Sequence, residues 1–200
     1  MIIVTRPVST KPAILYLEYI QSSGTQYIDT GFKPNQNTRV TADVTILSIK
    51  NASISPFGTR GESTPTAPTS YCVWAMQTGT TINSDFFGGR KSSNFQCEGV
   101  RMNIDKNKNV CVVNSITLTN DSATGSASYP LFLFGCNNIG DFDYSASIRM
   151  YGAAIYDNDE LVHNFKPAKD ESGVVCLYDT VSKSYFYNAG SGIFTGGPEV

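Results

Sequence analysis

Apolar and polar side chains alternate most regularly between Arg39 and Ile46. The apolar members occupy every second position: Val40, Ala42, Val44 and Ile46. A period of two is that of a β-strand with one buried face. The segment is therefore predicted to be a strand whose polar side chains face away from the core.

Short segments of the same kind recur along the rest of the chain: Ser53–Thr59, Tyr71–Gln77, Asn83–Phe87, Asn94–Ile104, Val110–Val113, Ile116–Thr119, Leu131–Gly135, Ala146–Tyr156, Glu160–Phe165, Gly173–Tyr178 and Ser184–Tyr187. Residues that favour turns separate nearly all of them, and no stretch combines a helical period with caps at both ends. Because no single sheet could cover its own apolar face, so many short strands predict an all-β fold of two packed antiparallel sheets.

The chain divides into a short first segment and a long second one. Residues 1–13 contain two prolines and no sustained period, which predicts an extended N-terminal arm. Residues 14–200 are predicted to form one β-sandwich domain. Within it, the stretch from Glu62 to Ser70 is predicted to be an exposed loop because it is rich in proline, serine and threonine.

Composition narrows the class of protein. Hydrophobic residues make up 40% of the chain and aromatic residues 12%, which is too apolar for a disordered protein. The formal net charge of −2 provides no broad basic surface for a nucleic-acid backbone. The apolar runs are too short to predict a membrane-spanning helix, and the first residues do not resemble a secretory signal. Neither nucleic acid nor membrane is therefore expected as a partner.

The five cysteines are spread along the chain: Cys72, Cys97, Cys111, Cys136 and Cys176. An odd number without a C-x-x-C pair argues against a zinc site and against a complete disulfide framework. The cysteines are therefore predicted to be small buried side chains of a protein that folds in a reducing cytosol.

Catalytic chemistry finds little support in the sequence. Hydrolysis of a glycosidic bond needs two opposed carboxyl groups, and the nearest clusters are Asp141 with Asp143 and Asp157 with Asp159 and Glu160. Both are predicted to lie in turns, where aspartate commonly binds its own backbone. No catalytic residue, metal site or cofactor is predicted, although calcium bound by these turns stays open. The one histidine, His163, is interpreted as an ordinary strand residue.

Sugar binding is the remaining chemistry that the strand pattern allows. β-Sandwiches bind sugars by stacking them on exposed aromatic rings and by donating hydrogen bonds to their hydroxyl groups. The candidate carbohydrate-binding residues would share exposed strand faces: Tyr71, Gln77, Arg101, Asn103, Arg149 and Tyr151. Alternation assigns Trp74 to the core with Cys72 and Met76. The alternative is a solvated polar face that binds nothing.

Two stretches resemble a known family. The opening stretch is Leu17–Phe32, and the closing motifs are Arg149–Gly152, Ile155–Asn158, Leu161–Val162, Phe165–Pro167, Gly173–Val175, Leu177–Asp179 and Phe186–Gly192. They resemble the first and last strands of concanavalin A-like, laminin G-like domains of bacteriophage and prophage structural proteins and of gut bacterial surface proteins. Two positions depart from the pattern: Cys176 stands in place of glycine, and Asp159 replaces the glycine of an Asn-Gly hairpin.

The resemblance implies a jelly-roll sandwich and a non-catalytic role. It favours a phage or prophage virion protein, such as a capsid decoration or a fibre component, on the virion surface after assembly in the bacterial cytoplasm. Capsid or other virion proteins would be its partners, with host or mucosal glycans as candidate ligands, and a homo-oligomer is expected. A bacterial cell-surface adhesin and an enzyme that acts on polysaccharide are the alternatives.

Overall fold

A computed structural model describes residues 14–49, 53–62 and 68–200. The strands within these ranges are β1 (Leu15–Tyr16), β2 (Ile20–Ser23), β3 (Ile28–Asp29), β4 (Thr38–Ser48), β5 (Ser53–Arg60), β6 (Tyr71–Met76), β7 (Thr81–Phe86), β8 (Gly89–Asn94), β9 (Arg101–Asn107), β10 (Val110–Val113), β11 (Ile116–Thr119), β12 (Phe132–Leu133), β13 (Cys136–Asn138), β14 (Asp141–Asp143), β15 (Ser147–Asp157), β16 (Glu160–Lys169), β17 (Val175–Asp179), β18 (Ser184–Phe186) and β19 (Thr195–Gly196). The arm predicted for residues 1–13 lies outside the described residues.

The strands form two sheets. The large sheet has the order β11-β10-β9-β4-β15-β16-β17-β18, with β1 beside β16, β2 beside β15 and β19 beside β2. The small sheet has the order β14-β13-β5-β6-β7-β8, with β12 between β5 and β3. All pairings are antiparallel except that of β5 with β13. The predicted two-sheet β-sandwich is confirmed, and its architecture is consistent with a jelly roll. No helix in the described ranges is long and apolar enough to cross a bilayer.

The strand with the most regular alternation, β4, lies at the centre of the large sheet. Val40, Val44 and Ile46 are fully buried, whereas the intervening side chains of Arg39 and Asp43 remain partly exposed on the outer face. Apolar side chains of the small sheet complete the core from the other side: Ile54, Phe57, Val73, Ala75, Ile82 and Phe86. Burial of these side chains between the sheets is the main stabilising term of the fold.

Tyr71 faces the core, so the prediction that it lies on an exposed surface is wrong. Its side chain is fully buried, and its hydroxyl donates to the carbonyl oxygens of Lys106 at 2.8 Å and Thr38 at 3.2 Å. Both acceptors belong to strands of the large sheet. The tyrosine therefore bridges the two sheets and supplies the hydrogen bond that its buried hydroxyl requires.

Trp74 lies on the opposite, outer face of β6, so its assignment to the core is also wrong. The indole is half-buried, and it stacks on Tyr144 with a centroid distance of 6.3 Å. The guanidinium of Arg90 lies 4.5 Å from its ring. Met76, which was also assigned to the core, is 46% exposed. The outer face of the small sheet therefore carries its own partly buried aromatic layer.

A lysine occupies the core beneath Tyr71. Lys106 falls in the inward register of β9, and its side chain is fully buried. Its Nζ donates to Ser84 Oγ at 2.8 Å and lies 4.7 Å from the Tyr71 ring centroid and 5.5 Å from that of Phe86. Burial lowers the pKa of the Lys106 ammonium, because the apolar surroundings disfavour its charge.

All five cysteines are free and buried in the structure, as predicted for small core side chains. Cys72 and Cys136 flank Gly58 on neighbouring strands, and their sulfur atoms lie 3.8 Å apart above it. Two strand spacings put their Cα atoms roughly 9–10 Å apart. A disulfide needs a separation below about 7 Å, so this pair cannot form one without backbone movement.

Gly58→Ala is expected to lower the free energy of unfolding by about 1–3 kcal/mol. A Cβ there would overlap the Cys72 Sγ, and it would lie 2.9 Å from the Cys72 Cβ and 3.2 Å from the Cys136 Sγ. Chemical denaturation measures the effect. In a Cys72→Ala background the same substitution should cost less, because the nearest sulfur is gone. An equal cost in both backgrounds would show that the crowding is not at Cys72.

The two departures from the family pattern fit the fold. Asn158 and Asp159 both have positive φ, at 50° and 65°, and form the two-residue turn between β15 and β16. Such a turn requires positive φ at both positions, which explains the usual preference for Asn-Gly. Cys176 is buried within β17, where its side chain packs without altering the register with β16.

Candidate ligand-binding site

Four of the sequence-predicted residues share the outer face of the large sheet. Arg101 and Arg149 lie in one cross-strand row, because both pair with Thr45 of β4. Asn103 lies in the next row, opposite Asp43. The side chain of Tyr151 falls between these rows on β15. The register of three adjacent strands therefore brings together residues that lie almost 50 positions apart in sequence.

A β-bulge positions Tyr151. In the pairing of β15 with β4, Met150 is opposite Val44 and Gly152 is opposite Asp43, so Tyr151 is the extra residue. The extra residue shifts the alternation along β15 by one position, so that Ile148 and Met150 face the core before the bulge and Ala153 and Ile155 face it afterwards. Gly152 has no side chain, so the surface beside Tyr151 stays open. A Cβ at this position would come within 3.4 Å of the Phe165 carbonyl oxygen.

Two arginine–tyrosine pairs lie side by side on this face. The Arg101 guanidinium lies 3.6 Å from the Tyr151 ring centroid, and the Arg149 guanidinium lies 4.5 Å from that of Tyr19. The two tyrosine rings contact each other edge to face at 5.7 Å. Cation–π and aromatic contacts of this kind hold long side chains in fixed positions at an exposed surface. We call these four residues the arginine–tyrosine ladder.

Tyr151 of the ladder also lines a polar groove of about 470 Å³, whereas the other three ladder residues lie outside its lining. Its polar lining comes from β4, β9, β15, β16 and the turn after β10: Thr41, Asp43, Asn103, Asp105, Asn114, Tyr151, Asn164 and Lys166. The small residues Gly152 and Ala154 line the sheet surface between them. The groove therefore offers hydroxyl, amide and ammonium groups around a smooth base, with an aromatic side chain at one wall.

A second, more apolar depression of about 510 Å³ adjoins the groove. Tyr16, Leu17, Glu18, Pro167 and Val200 line it, together with Tyr151 and Lys166. The last two residues line both depressions, so they stand at the boundary between them. A ligand longer than one sugar ring could therefore contact both depressions across Tyr151.

The two carboxylates of the polar groove are already held by arginines. Arg101 donates two hydrogen bonds of 2.8 Å to Asp43, and Arg39 donates bonds of 2.8 and 2.7 Å to Asp105. These hydrogen bonds raise the pKa of both guanidinium groups above the ordinary arginine value. Lys166 is different: among the described residues, no carboxylate lies within ion-pair distance of its ammonium.

The remaining predicted residues lie elsewhere. Tyr71 is in the core, and Gln77 is exposed in the turn after β6, a strand of the other sheet. Conversely, sequence reasoning missed Tyr19 and Lys166. Lys166 follows the fully buried Phe165, and alternation alone would have placed it on the outer face.

The acidic clusters considered for catalysis organise the backbone around them. Asp157 accepts hydrogen bonds from the side chains of Asn35 at 2.8 Å and Asn158 at 3.2 Å. Asp143 lies in the short strand β14 rather than in a turn, and it accepts from the Tyr144 backbone amide at 2.7 Å and the Asn138 side chain at 3.1 Å. Within residues 14–49, 53–62 and 68–200, no three acidic, histidine or cysteine side chains cluster as metal ligands would.

Comparison with known proteins gives distant structural likenesses and no relative in sequence. No protein-family model and no curated protein matches the chain. Among solved structures, a point mutant of the NanB sialidase from Streptococcus pneumoniae matches with a TM-score of 0.42 and 10% sequence identity. The match covers 74% of this chain and 27% of the sialidase. At this distance, function has to be argued from the site itself.

Proposed function

We propose that this chain is a non-catalytic recognition module that binds glycans on the outer face of the large sheet. The arginine–tyrosine ladder beside the polar groove carries the proposal. Tyr151 supplies an apolar wall, and Asn103, Thr41 and Lys166 supply polar groups along the same groove. Sugars present both an apolar face and a rim of hydroxyl groups, so this combination suits them.

The ladder also lowers the entropic cost of binding. Arg101 is fixed by Asp43, and Arg149 is fixed by a 2.8 Å hydrogen bond from its Nε to Gln21 Oε1. Each guanidinium in turn holds a tyrosine ring in place. Side chains that are ordered before binding lose little freedom when a ligand arrives.

Tyr151→Ala is expected to weaken binding of the tightest oligosaccharide on a glycan array by at least about tenfold, because loss of one aromatic wall costs roughly 1.5 kcal/mol or more. Isothermal titration calorimetry measures the change. Tyr156→Ala is the matched control, because Tyr156 lies on the same strand but outside the groove. Equal losses in both variants would contradict the proposal, as would an array on which the wild-type chain retains no sugar.

The proposal distinguishes a binder from an enzyme. A glycosidase would release reducing ends from polysaccharide, with two opposed carboxyl groups in its cleft. Here both carboxylates of the groove accept paired hydrogen bonds from arginines, so their oxygen atoms are already engaged within the protein. We expect no release of reducing ends from the polysaccharides that the chain binds. Release that Asp43→Asn or Asp105→Asn abolishes would identify an enzyme instead.

We place the module on a phage or prophage virion, as a capsid decoration or fibre component. The resemblance of the opening and closing strands supports this placement, and the outward polar face would then be available to host or mucosal glycans. Capsid or other virion proteins would be its partners. Mass spectrometry of purified particles tests the placement: the chain should be present in stoichiometric amounts, and its absence from them would favour the bacterial cell-surface alternative.

A further inference from the structure

We propose that the groove selects acidic glycans, whose carboxylate is bound by Lys166. This inference rests on the proposed glycan-binding function and adds the class of sugar. Lys166 stands at the boundary of the two depressions, on β16, facing the same side as Tyr151. Its side chain is exposed, so an incoming ligand can reach the ammonium without rearrangement of the fold.

The charges around the groove favour an anion. Asp43 and Asp105 each form a paired set of hydrogen bonds with an arginine, so neither carboxylate is available to neutralise the lysine. Among the described residues that line the polar groove, Lys166 is the charged group that lacks an ion-pair partner within 4 Å. A ligand carboxylate would become this missing partner by accepting a charge-assisted hydrogen bond from the Lys166 ammonium.

The groups around Lys166 indicate on which side of it the carboxylate of the ligand would lie. The second depression contains Glu18, an exposed acid whose negative charge would repel an anionic ligand. On the polar side, the amide of Asn103 and the hydroxyl of Thr41 make no side-chain hydrogen bond to another described residue. The carboxylate is therefore placed on the polar side of Lys166, with the rest of the sugar chain extending across Tyr151.

Two matched pairs of sugars test this selectivity. Trigalacturonate and its methyl ester differ in the charge at C6, while 3′-sialyllactose and lactose test a carboxylate from a sialic acid. At least one acid is expected to bind about tenfold more tightly than its neutral counterpart at low salt. The difference should shrink at 0.5 M NaCl, because an exposed charge pair is screened there. Which acid is preferred identifies the source of the carboxylate.

Lys166→Gln is the decisive variant. It should reduce the ratio of acidic to neutral affinity to about one, whereas Lys169→Gln should retain the preference. Lys169 lies on the same strand but outside both depressions, beside Glu199. Thermal denaturation of both variants checks that they fold.

The outcomes separate this inference from the proposed function. A wild-type chain that binds neutral sugars as tightly as their acidic counterparts would overturn the acidic selectivity and leave glycan binding intact. The same holds if Lys166→Gln keeps the full preference for the acid. A wild-type chain that binds none of the four probes and no sugar on the array would overturn both.

Discussion

Asp179→Ala should lower the free energy of unfolding by about 3–4 kcal/mol. The carboxylate is fully buried at the end of β17 and accepts five hydrogen bonds. Its Oδ1 accepts from the backbone amides of Asn164 at 2.8 Å and Val181 at 3.1 Å, and its Oδ2 accepts from Ser182 N, Ser182 Oγ and His163 Nδ1 at 3.2, 2.7 and 2.9 Å. Alanine would leave these five donors without their shared acceptor. Urea denaturation of the variant measures the loss.

The same carboxylate should make the fold acid-sensitive. Burial alone would raise the pKa of Asp179, but hydrogen bonds from Asn164, Ser182, His163 and Val181 lower it to about 2. Because the folded pKa is below the unfolded value of about 3.9, the contribution is complete above pH 4 and is lost as the pH falls through 2. About 2 kcal/mol of stability should disappear over this window.

Two variants isolate the contribution of Asp179. In Asp179→Asn the side chain keeps one oxygen acceptor but cannot ionise, so its stability should change less with pH between 4 and 2 than that of the wild type. Asp121→Ala, at an exposed position, should change stability by less than about 0.5 kcal/mol. If Asp179→Ala costs no more than Asp121→Ala, the carboxylate does not organise this turn.

Lys106→Met is expected to have the opposite effect and to stabilise the fold by about 2 kcal/mol at pH 7. The lysine lies fully buried between Tyr71 and Phe86, and its Nζ donates a hydrogen bond to Ser84 Oγ. Burying an ionisable amine against a neutral hydroxyl and two aromatic rings costs more than burying an apolar side chain of similar volume. Methionine removes the ionisable group and has the flexibility to fill the same space.

The pH dependence of stability tests the reason for this effect. Because burial lowers the pKa of Lys106, the unfolded chain binds more protons than the folded chain above the folded pKa. The Lys106 contribution to stability should therefore rise with pH up to the unfolded value of about 10.4. The difference between wild type and Lys106→Met should shrink as the pH rises. A methionine variant that is less stable at every pH would show that the Ser84 contact and the ring contacts outweigh the burial cost.

The sequence predicted the large sheet better than the small one, and the reason is the alternation itself. In β4, apolar and polar residues alternate, so the buried face could be identified directly. In β6, both faces carry apolar residues, because one faces the core and the other lies under Tyr144 and Arg90. Alternation then cannot distinguish inside from outside, and Tyr71 and Trp74 were assigned to the wrong faces.

Two features of the candidate site depend on tertiary structure. The bulge that aims Tyr151 is a mismatch between two strands, and only the neighbouring Gly152 hints at it in sequence. The significance of Lys166 emerges only when Asp43 and Asp105 are seen to be held by arginines from neighbouring strands. By contrast, Asp179 accepts hydrogen bonds from the backbone amides of Val181 and Ser182 in the turn that follows it, a local role that is common for aspartate and needs no tertiary partner.

Backbone amide NMR shifts test most directly whether the outer face of the large sheet is the binding surface. The wild-type chain would be titrated in turn with trigalacturonate and with its methyl ester. The account predicts shift changes centred on Asn103, Tyr151 and Lys166. Changes centred on Trp74 and Tyr144 of the opposite face, or no change with either sugar, would contradict it.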